Sequence, residues 1–226
     1  SPGEGSQLLD EVVVETAIER SRTEVPTPKV IAVSEKGYKA RVLVKFPAYM
    51  LLPGDIIRRQ VWPMVEDEEW LDMDRVPNED KIASFLRHTL EHSPRCVSSD
   101  LSSATDYIPH QYAQALWRGI LDELKAPEWV HEHTDKMFGQ WKLLFPDGSE
   151  VLSTRGIHMG TPLSFMTLCL MHKYAVKESG HSHAPHIIRG DDLIGLFDRP
   201  QQYFKTMEEI GFKINPKKTI ISNCGG

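Results

Sequence analysis

The tripeptide Gly190-Asp191-Asp192 is the strongest constraint on the fold of this chain, because it separates two short runs rich in β-branched and aliphatic residues. Two such runs joined by Gly and Asp predict a tight antiparallel hairpin. The hairpin presents adjacent carboxylates at its tip, where they repel each other and favour a bound cation. Oxygen ligands of this kind suit Mg²⁺, which takes one or two protein carboxylates together with substrate phosphates. A Gly-Asp-Asp tip is also typical of an ordinary solvated turn, so the tripeptide alone does not establish a metal site.

Composition bounds the class of protein. The chain has 226 residues, of which 40% are hydrophobic and 26% charged, and this balance is typical of a globular protein with one core or one core plus a lobe. No run approaches the roughly 20 apolar residues of a membrane span, so no membrane segment is predicted. Three widely spaced cysteines indicate neither a disulfide framework nor a zinc site, and they fit a reducing compartment.

The charge distribution bounds the partners. A net charge of -6 argues against indiscriminate coating of nucleic acid, since phosphate affinity comes from clustered Lys and Arg. Basic residues are concentrated between residues 29 and 60, however, and residues 66–74 are mainly acidic. By itself this pattern is typical of two solvated faces of opposite sign.

Hydrophobic periodicity predicts an α+β fold, an antiparallel sheet backed by helices on one face. The predicted helices cover residues 8–20, 77–92, 110–126, 163–176 and 201–210. The predicted strands form hairpins over residues 29–44, 141–152 and 187–197, together with single strands at 95–101 and 213–221. The chain lacks a starting Met and a signal peptide, so we expect a processed or partial chain.

Two further acids lie near the predicted strand at residues 95–101. If this strand pairs beside the Gly-Asp-Asp hairpin, Asp100 and Asp191 converge on two Mg²⁺ ions about 4 Å apart, with Asp192 as an auxiliary ligand. That arrangement clamps the attacking and leaving oxygens in phosphoryl transfer. Asp106 follows after small residues that let a substrate backbone approach. An ordinary turn or helix-capping acid is the alternative interpretation of Asp100 and Asp106.

Residues 156–164 form a Gly-rich loop that leads into a helix. The two glycines free the backbone, and the helix start offers amide donors to phosphate or ribose oxygens. Ser164 is able to exchange a hydrogen bond with a 2′-hydroxyl, the group that distinguishes RNA from DNA. A plain loop-to-helix junction is the alternative. His172, on the helix, is expected to be a packed or surface histidine and not a catalyst.

Five segments of the chain resemble, in order along the sequence, motifs F, A, B, C and D of viral RNA-dependent RNA polymerases. Their residues are most similar to those of the narnavirus, ourmia-like virus and mitovirus group. The five segments are residues 37–42, 100–106, 156–164 with Leu168 and His172, 189–192, and 211–219.

The resemblance implies a right-hand polymerase palm with part of the fingers. It assigns residues 1–28 to an N-terminal helix and linker, residues 29–99 to a fingers-like region with a basic hairpin, and residues 100–226 to the palm core. The motif E strands and the thumb have no counterpart here, so we expect a partial chain, with a second chain as a candidate source of the thumb.

The resemblance also implies roles for individual residues. Mg²⁺, as two ions with Mn²⁺ as an alternative, is held by the acids of motifs A and C, and a motif D lysine protonates the departing pyrophosphate. The catalytic and metal-binding residues so assigned are Asp100, Asp191, Asp192 and Lys218. A solvated lysine in a basic turn is the alternative interpretation of Lys218. The substrate-binding residues are Lys39 and Arg41, which steer the triphosphate, and Asp106, Gly160 and Ser164, which serve the ribose.

The predicted function is RNA-directed RNA synthesis for viral genome replication. The partners are an RNA template, a nascent strand and NTPs, in the cytoplasm of an infected cell or in its mitochondrion. Two alternatives stay open: a non-catalytic RNA-binding or accessory fragment of a replicase, and a reverse transcriptase. Zinc binding by the histidines at 181, 183 and 186 is a poor further idea, because they lie in a Gly- and Pro-containing connection with no cysteine near.

Overall fold

A computed structural model describes residues 2–35, 39–72, 80, 81, 83–85, 87 and 95–223 of the chain. They form two units, one of Ser1–Gln60 with Pro109–Ser164 and one of Val61–Ile108 with Phe165–Gly226. The segments of the two units alternate along the sequence. The predicted division into residues 1–28, 29–99 and 100–226 describes the lobes of a polymerase, and it stays a prediction.

The named helices are α1 (Pro2–Thr23), α2 (Ala48–Val61), α3 (Ala104–Tyr107), α4 (His110–Glu123), α5 (Glu128–Met137), α6 (Ser164–Val176) and α7 (Pro200–Ile210). The strands are β1 (Lys29–Glu35), β2 (Lys39–Lys45), β3 (Arg95–Asp100), β4 (Lys142–Leu144), β5 (Glu150–Leu152), β6 (His186–Arg189), β7 (Asp192–Phe197) and β8 (Ile220–Asn223). A short 3₁₀ turn, Trp62–Met64, follows α2, and a π-helical turn, Lys177–His181, follows α6.

In the first unit the strand order is β2-β1-β4-β5. The pairs are antiparallel except for β1 and β4, which meet in parallel where Lys29 is opposite Leu144. Its core packs the end of β2 against α2 and the end of α5. Phe46 and Trp141 meet edge to face with ring centroids 4.9 Å apart, the geometry that aromatic quadrupoles favour.

In the second unit the strand order is β6-β7-β3-β8, and every pair is antiparallel. The amphipathic helix α7 buries Tyr203, Met207 and Ile210, which recur at the spacing of one helical face. The helix ends at Gly211, whose φ of 116° is the left-handed conformation of a C-terminal glycine cap. Tyr203 packs on Phe197 of β7, with ring centroids 5.1 Å apart.

The α+β class is confirmed, and most predicted elements are present. The single predicted sheet is corrected to two sheets, because in the described residues β1, β2, β4 and β5 pair only among themselves, whereas β3 pairs with β7 and β8. Helix α5 is absent from the predicted elements; Pro127, directly after the predicted helix at 110–126, occupies the N-cap position at which α5 begins. The described residues of the predicted helix at 77–92 are helical, and the rest of it, like the turn at 36–38, lies outside the described residues.

The structure also bears on membrane insertion. Among the described residues, no helix has both the length and the apolar character that crossing a bilayer requires.

Candidate active site

The strand register of the second unit brings two acids together. Strand β3 pairs with β7 so that Asp100, the last residue of β3, is directly opposite Asp192, the first residue of β7. Side chains at directly opposite positions of an antiparallel pair have Cβ atoms about 5 Å apart. The predicted pairing of the Asp100 strand beside the Gly-Asp-Asp hairpin is therefore confirmed, and the register shows Asp192 as the direct neighbour of Asp100.

The turn between β6 and β7 consists of Gly190 and Asp191. Gly190 has a φ of 61°, and Asp191 is not among the residues with positive φ, which is the type II′ pattern of two-residue hairpins. A Cβ at Gly190 would lie 2.8 Å from Cε2 of Phe165. Glycine is required here for the backbone angle and for the close approach of this ring.

The three carboxylates interact electrostatically. Partial burial raises the pKa of Asp192 above its usual value, and the charges of Asp191 and Asp100 raise it further, while Lys218 opposes the rise. Crowded carboxylates of this kind ionise together only when positive charge is near. The chemistry of the donor set therefore fits a divalent cation.

A bulge opposite the end of β3 brings two more groups to Asp100. Ser98 pairs with Ile220 and Leu101 bridges to Ile214, so residues 99–100 face the longer segment 215–219. A bulge re-aims side chains and is common beside active sites.

Two side chains of this bulge contact the same carboxylate oxygen. The side-chain Nδ2 of Asn215 donates to Oδ2 of Asp100 at 2.9 Å, and Nζ of Lys218 lies 3.4 Å from that oxygen. The backbone N–H of Asn215 also donates to the Asp100 carbonyl at 2.9 Å. The predicted motif D lysine thus lies beside the predicted motif A acid.

A cavity of about 440 Å³ opens beside these groups. Its charged lining residues are Asp72, Lys81, Asp100, Arg189, Asp192 and Lys218. Arg189 pairs with Asp72 across 3.4 Å, and the segment around Asp72 hydrogen-bonds to the edge strand β6 through Ile188. Cations therefore lie around the carboxylates, an arrangement suited to a polyanionic substrate bound with metal ions.

Two buried, hydrogen-bonded side chains, His172 and Tyr203, stabilise the turn between β6 and β7. His172 of α6 is fully buried, with Nδ1 3.1 Å from the Gly190 carbonyl and Nε2 2.7 Å from the Tyr203 hydroxyl. A carbonyl only accepts, so Nδ1 carries the hydrogen and Nε2 accepts from the hydroxyl. Burial lowers the pKa of His172 to about 4, which keeps the ring neutral. The expectation that His172 is packed is confirmed.

Asp106 lies on the short helix α3 that follows β3. Its backbone N–H donates to the carbonyl of Ser103, which has the left-handed φ of 47°. Partial burial raises the pKa of Asp106. Lys213 connects this helix to the motif D segment, with Nζ 3.1 Å from the Tyr107 hydroxyl and 4.3 Å from its ring centroid.

The predicted ribose loop belongs to the first unit and contacts β2. The backbone N–H of Val44 donates to the Met159 carbonyl at 3.2 Å, and a Cβ at Gly160 would lie 3.3 Å from the Val44 carbonyl oxygen. Gly160 has a φ of 99°, so both its angle and its packing favour glycine. The Gly-rich loop and the basic strand of the predicted motif F are thus joined through their backbones.

The hydroxyl of Ser164 is used inside this loop. Ser164 is buried, and its Oγ donates to the His158 carbonyl and contacts the Thr161 hydroxyl. On β2, Arg41 is exposed and has an interaction partner, while the side chain of Lys39 lies outside the described residues. The ribose and triphosphate roles of these residues stay predictions.

The metal-binding capacity of the described residues is that of an open site. Within them, no group of three or more His, Cys, Asp or Glu side chains forms a ready-made metal cage. Mg²⁺ in phosphoryl-transfer sites is typically held by one or two carboxylates plus substrate phosphates, so the Asp100 and Asp192 pair fits this mode.

Sequence reasoning missed several residues of this site. Asn215 and the Asp72 to Arg189 ion pair were not predicted, and the support given by His172 was not recognised. A signal for Asn215 existed, since an Asn before Pro216 is typical of a turn in which the side chain caps a following backbone N–H. Its Oδ1 does accept from the Lys217 backbone N–H at 3.2 Å.

Comparison with known proteins shows the family to which this chain belongs. Residues 69–224, well over half of the chain, match the Mitovirus RNA-dependent RNA polymerase family. The chain therefore belongs to this family. It is also 32% identical over 220 residues to the RNA-directed RNA polymerase of Saccharomyces 23S RNA narnavirus, and 28% identical over 239 residues to that of Saccharomyces 20S RNA narnavirus.

These alignments cover most of this chain but only part of each relative. They take in 88% of the chain and 23% of the first relative, and 97% of the chain and 28% of the second. The chain thus spans about a quarter of the length of the curated relatives that it matches.

Proposed function

We propose that this chain carries out template-directed nucleotidyl transfer as part of an RNA-directed RNA polymerase. The observation that carries the proposal is the pairing of Asp100 with Asp192 beside Asp191, in a chain of an RNA-dependent RNA polymerase family. In this proposal residues 100–226, which include the Gly-rich loop, form the palm core, and residues 29–99, which include β1 and β2, form a fingers-like region. The RNA template, the nascent strand and NTPs are the partners.

The carboxylates Asp100, Asp191 and Asp192 hold the divalent ions in this proposal. Two such ions, when bound there, would supply positive charge that offsets the negative charge on the attacking 3′-hydroxyl oxygen and on the departing pyrophosphate. Asp192 was expected to be an auxiliary metal ligand. Its position directly opposite Asp100 supports a role in metal binding equal to that of Asp191. Lys218, whose ammonium lies beside Asp100, offsets charge on the pyrophosphate and donates a proton to it.

The remaining predicted residues act on the nucleotide in this proposal. Lys39 and Arg41 steer the triphosphate, and Asp106, Gly160 and Ser164 serve the ribose. For Ser164, contact with a 2′-hydroxyl requires it to exchange its internal hydrogen bonds for one to the substrate. Synthesis in the cytoplasm of an infected cell, with the mitochondrion as the alternative, belongs to the same proposal.

The test is Mg²⁺-dependent incorporation of labelled NTPs on an RNA template. The wild-type chain is compared with Asp191→Asn and with the control Asp198→Asn, which removes an exposed carboxylate just after the other end of β7. We expect Asp191→Asn to lose most incorporation and Asp198→Asn to retain it. Equal incorporation by the wild type and Asp191→Asn overturns the proposal.

The same assay separates the alternatives. Preferential incorporation of dNTPs would identify a reverse transcriptase. RNA binding with no Mg²⁺-dependent turnover in any preparation would favour a non-catalytic accessory fragment, an outcome to be weighed because the chain spans about a quarter of its relatives.

A further inference from the structure

Asn215 is the side chain that holds Asp100 most directly. It is joined to Asp100 twice, by its amide Nδ2 to the carboxylate Oδ2 and by its backbone N–H to the carbonyl, each at 2.9 Å. The two contacts fix both the side chain and the backbone of the same residue. Lys218 also reaches Oδ2, at 3.4 Å, but 64% of its side chain is exposed, against 14% for Asp100.

The amide differs from the ammonium in what it does to the carboxylate. Asn215 is neutral, so its hydrogen bond orients Asp100 without neutralising the charge that attracts a cation. A carboxylate has about four lone-pair positions on two oxygens, so one bond at Oδ2 leaves further positions for a metal. The amide and a divalent ion are therefore able to bind Asp100 at the same time.

The backbone explains why the amide is held in place. The Asn215 side-chain oxygen accepts from the Lys217 N–H at 3.2 Å, and its carbonyl accepts from the Lys218 N–H at 3.2 Å. Both acceptors are thus used within the bulge, and the Nδ2 donor points to Asp100. Few rotamers satisfy all of these bonds together, so the amide is pre-organised.

We propose that Asn215 is a positioning residue that fixes the Asp100 carboxylate for divalent-ion binding. The inference rests on the proposed metal role of Asp100. Hydrogen bonds to a ligating carboxylate orient it, and removal of such a partner costs about 10- to 100-fold in metal affinity or activity. Asn215 acts through Asp100 and needs no contact with the reacting atoms.

The experiment is direct binding of Mn²⁺ to the purified chain, followed by the electron paramagnetic resonance signal of free Mn²⁺. Asn215→Ser keeps an oxygen able to cap the turn but cannot reach Asp100. The matched control is Lys217→Ser, an exposed residue of the same bulge. Asn215→Gln keeps an amide donor and tests rescue, and Asp100→Asn tests the site itself.

We expect Asn215→Ser to weaken Mn²⁺ binding by about tenfold or more, Asn215→Gln to weaken it less, and Lys217→Ser to leave it within about twofold. Thermal unfolding of each variant separates lost affinity from lost folding. Wild-type affinity in Asn215→Ser, or an equal loss in Lys217→Ser, overturns the role of Asn215. Binding that survives Asp100→Asn unchanged overturns the proposed metal site itself, and the two failures are thereby distinguished. If Asn215→Ser does not fold, Asn215→Thr replaces it, since it also keeps a capping oxygen and lacks the amide donor: binding about tenfold weaker supports the role of Asn215, and wild-type affinity overturns it.

Discussion

Nδ1 of His172 lies 3.1 Å from the carbonyl oxygen of Gly190, so a fully buried side chain of α6 holds the backbone of the turn that carries Asp191. Tyr203 of α7 completes the connection by donating to Nε2 of the same ring. The position of the turn therefore depends on two helices that carry none of the three acids. This relationship gives the first prediction.

Tyr203→Phe removes the hydroxyl that satisfies Nε2 of His172 and leaves a buried ring nitrogen without its donor. We expect the free energy of unfolding to fall by about 1–3 kcal/mol, the cost of an unsatisfied buried polar group. Urea unfolding measures it. Tyr174→Phe, at an exposed position of α6, is the control and should change stability by less than about 0.5 kcal/mol. Equal stability of the two variants contradicts the assigned hydrogen bond.

Buried histidines predict a loss of stability in acid. Burial lowers the pKa of His133, His172 and His186 to about 4, against an ordinary value near 6.5. Between these values the unfolded chain binds protons that the folded chain does not, so stability falls as the pH decreases from 6.5 towards 4. Each histidine contributes a loss on the order of 1–3 kcal/mol over that range.

Urea midpoints at pH 7.5, 6.0 and 5.0 test this expectation. Asp106 and Asp192, whose pKa values are raised, act in the opposite direction as they bind protons, and the window from 6.5 to 5 is the one nearest the ordinary histidine pKa. We expect the midpoint to decrease steadily across it. A midpoint that does not change over this window would show that the histidines are not buried in the neutral form.

Substitutions at two glycines are predicted to change the free energy of unfolding in opposite directions. Gly190→Ala forces a β-carbon into the left-handed region and towards Phe165, so we expect a loss of about 1–2 kcal/mol. Gly119→Ala, inside α4 with open space around its Cβ, should gain about 0.5–1 kcal/mol through helix propensity. Chemical denaturation of both variants measures the difference. A stabilising Gly190→Ala would contradict the turn geometry.

Lys218 and a divalent ion compete for the charge of Asp100. Two unit charges about 4 Å apart interact by about 1 kcal/mol at solvent-like dielectric. Removal of the Lys218 ammonium in Lys218→Ala should therefore strengthen Mn²⁺ binding about fivefold. The same variant should slow nucleotide incorporation if Lys218 serves the pyrophosphate. Lys217→Ala, exposed in the same bulge, is the control for affinity. Weaker Mn²⁺ binding in Lys218→Ala than in Lys217→Ala would show that the ammonium supports the site.

Local patterns explain what could be predicted from the sequence. The β6 to β7 hairpin was predictable because apolar runs flank a Gly-Asp turn, and α7 because its apolar residues recur at helical spacing and Gly211 ends it. These elements are set by residues that are close together in the chain. The Asp-containing segments were likewise visible as motifs, since their residue types and order are local properties.

Long-range pairing explains what was missed. The opposition of Asp100 to Asp192 depends on strand register, which is set by how side chains pack between strands distant in sequence. The predicted strand at 213–221 is interrupted because Ile214 and Ile220 both pair near the end of β3, and the intervening residues form the bulge that carries Asn215. The burial of Ser164 and His172 is a tertiary property of the same kind.

The most direct test of the central claim is to map where a divalent ion binds. Fe²⁺ replaces Mg²⁺, and hydroxyl radicals generated at the bound ion cut the nearby backbone. We expect cuts near residue 100 and near residues 191–192, lost together when excess Mg²⁺ is added or when Asp100→Asn is used. Cuts confined to other segments, or cuts at these positions that persist in Asp100→Asn, would contradict it.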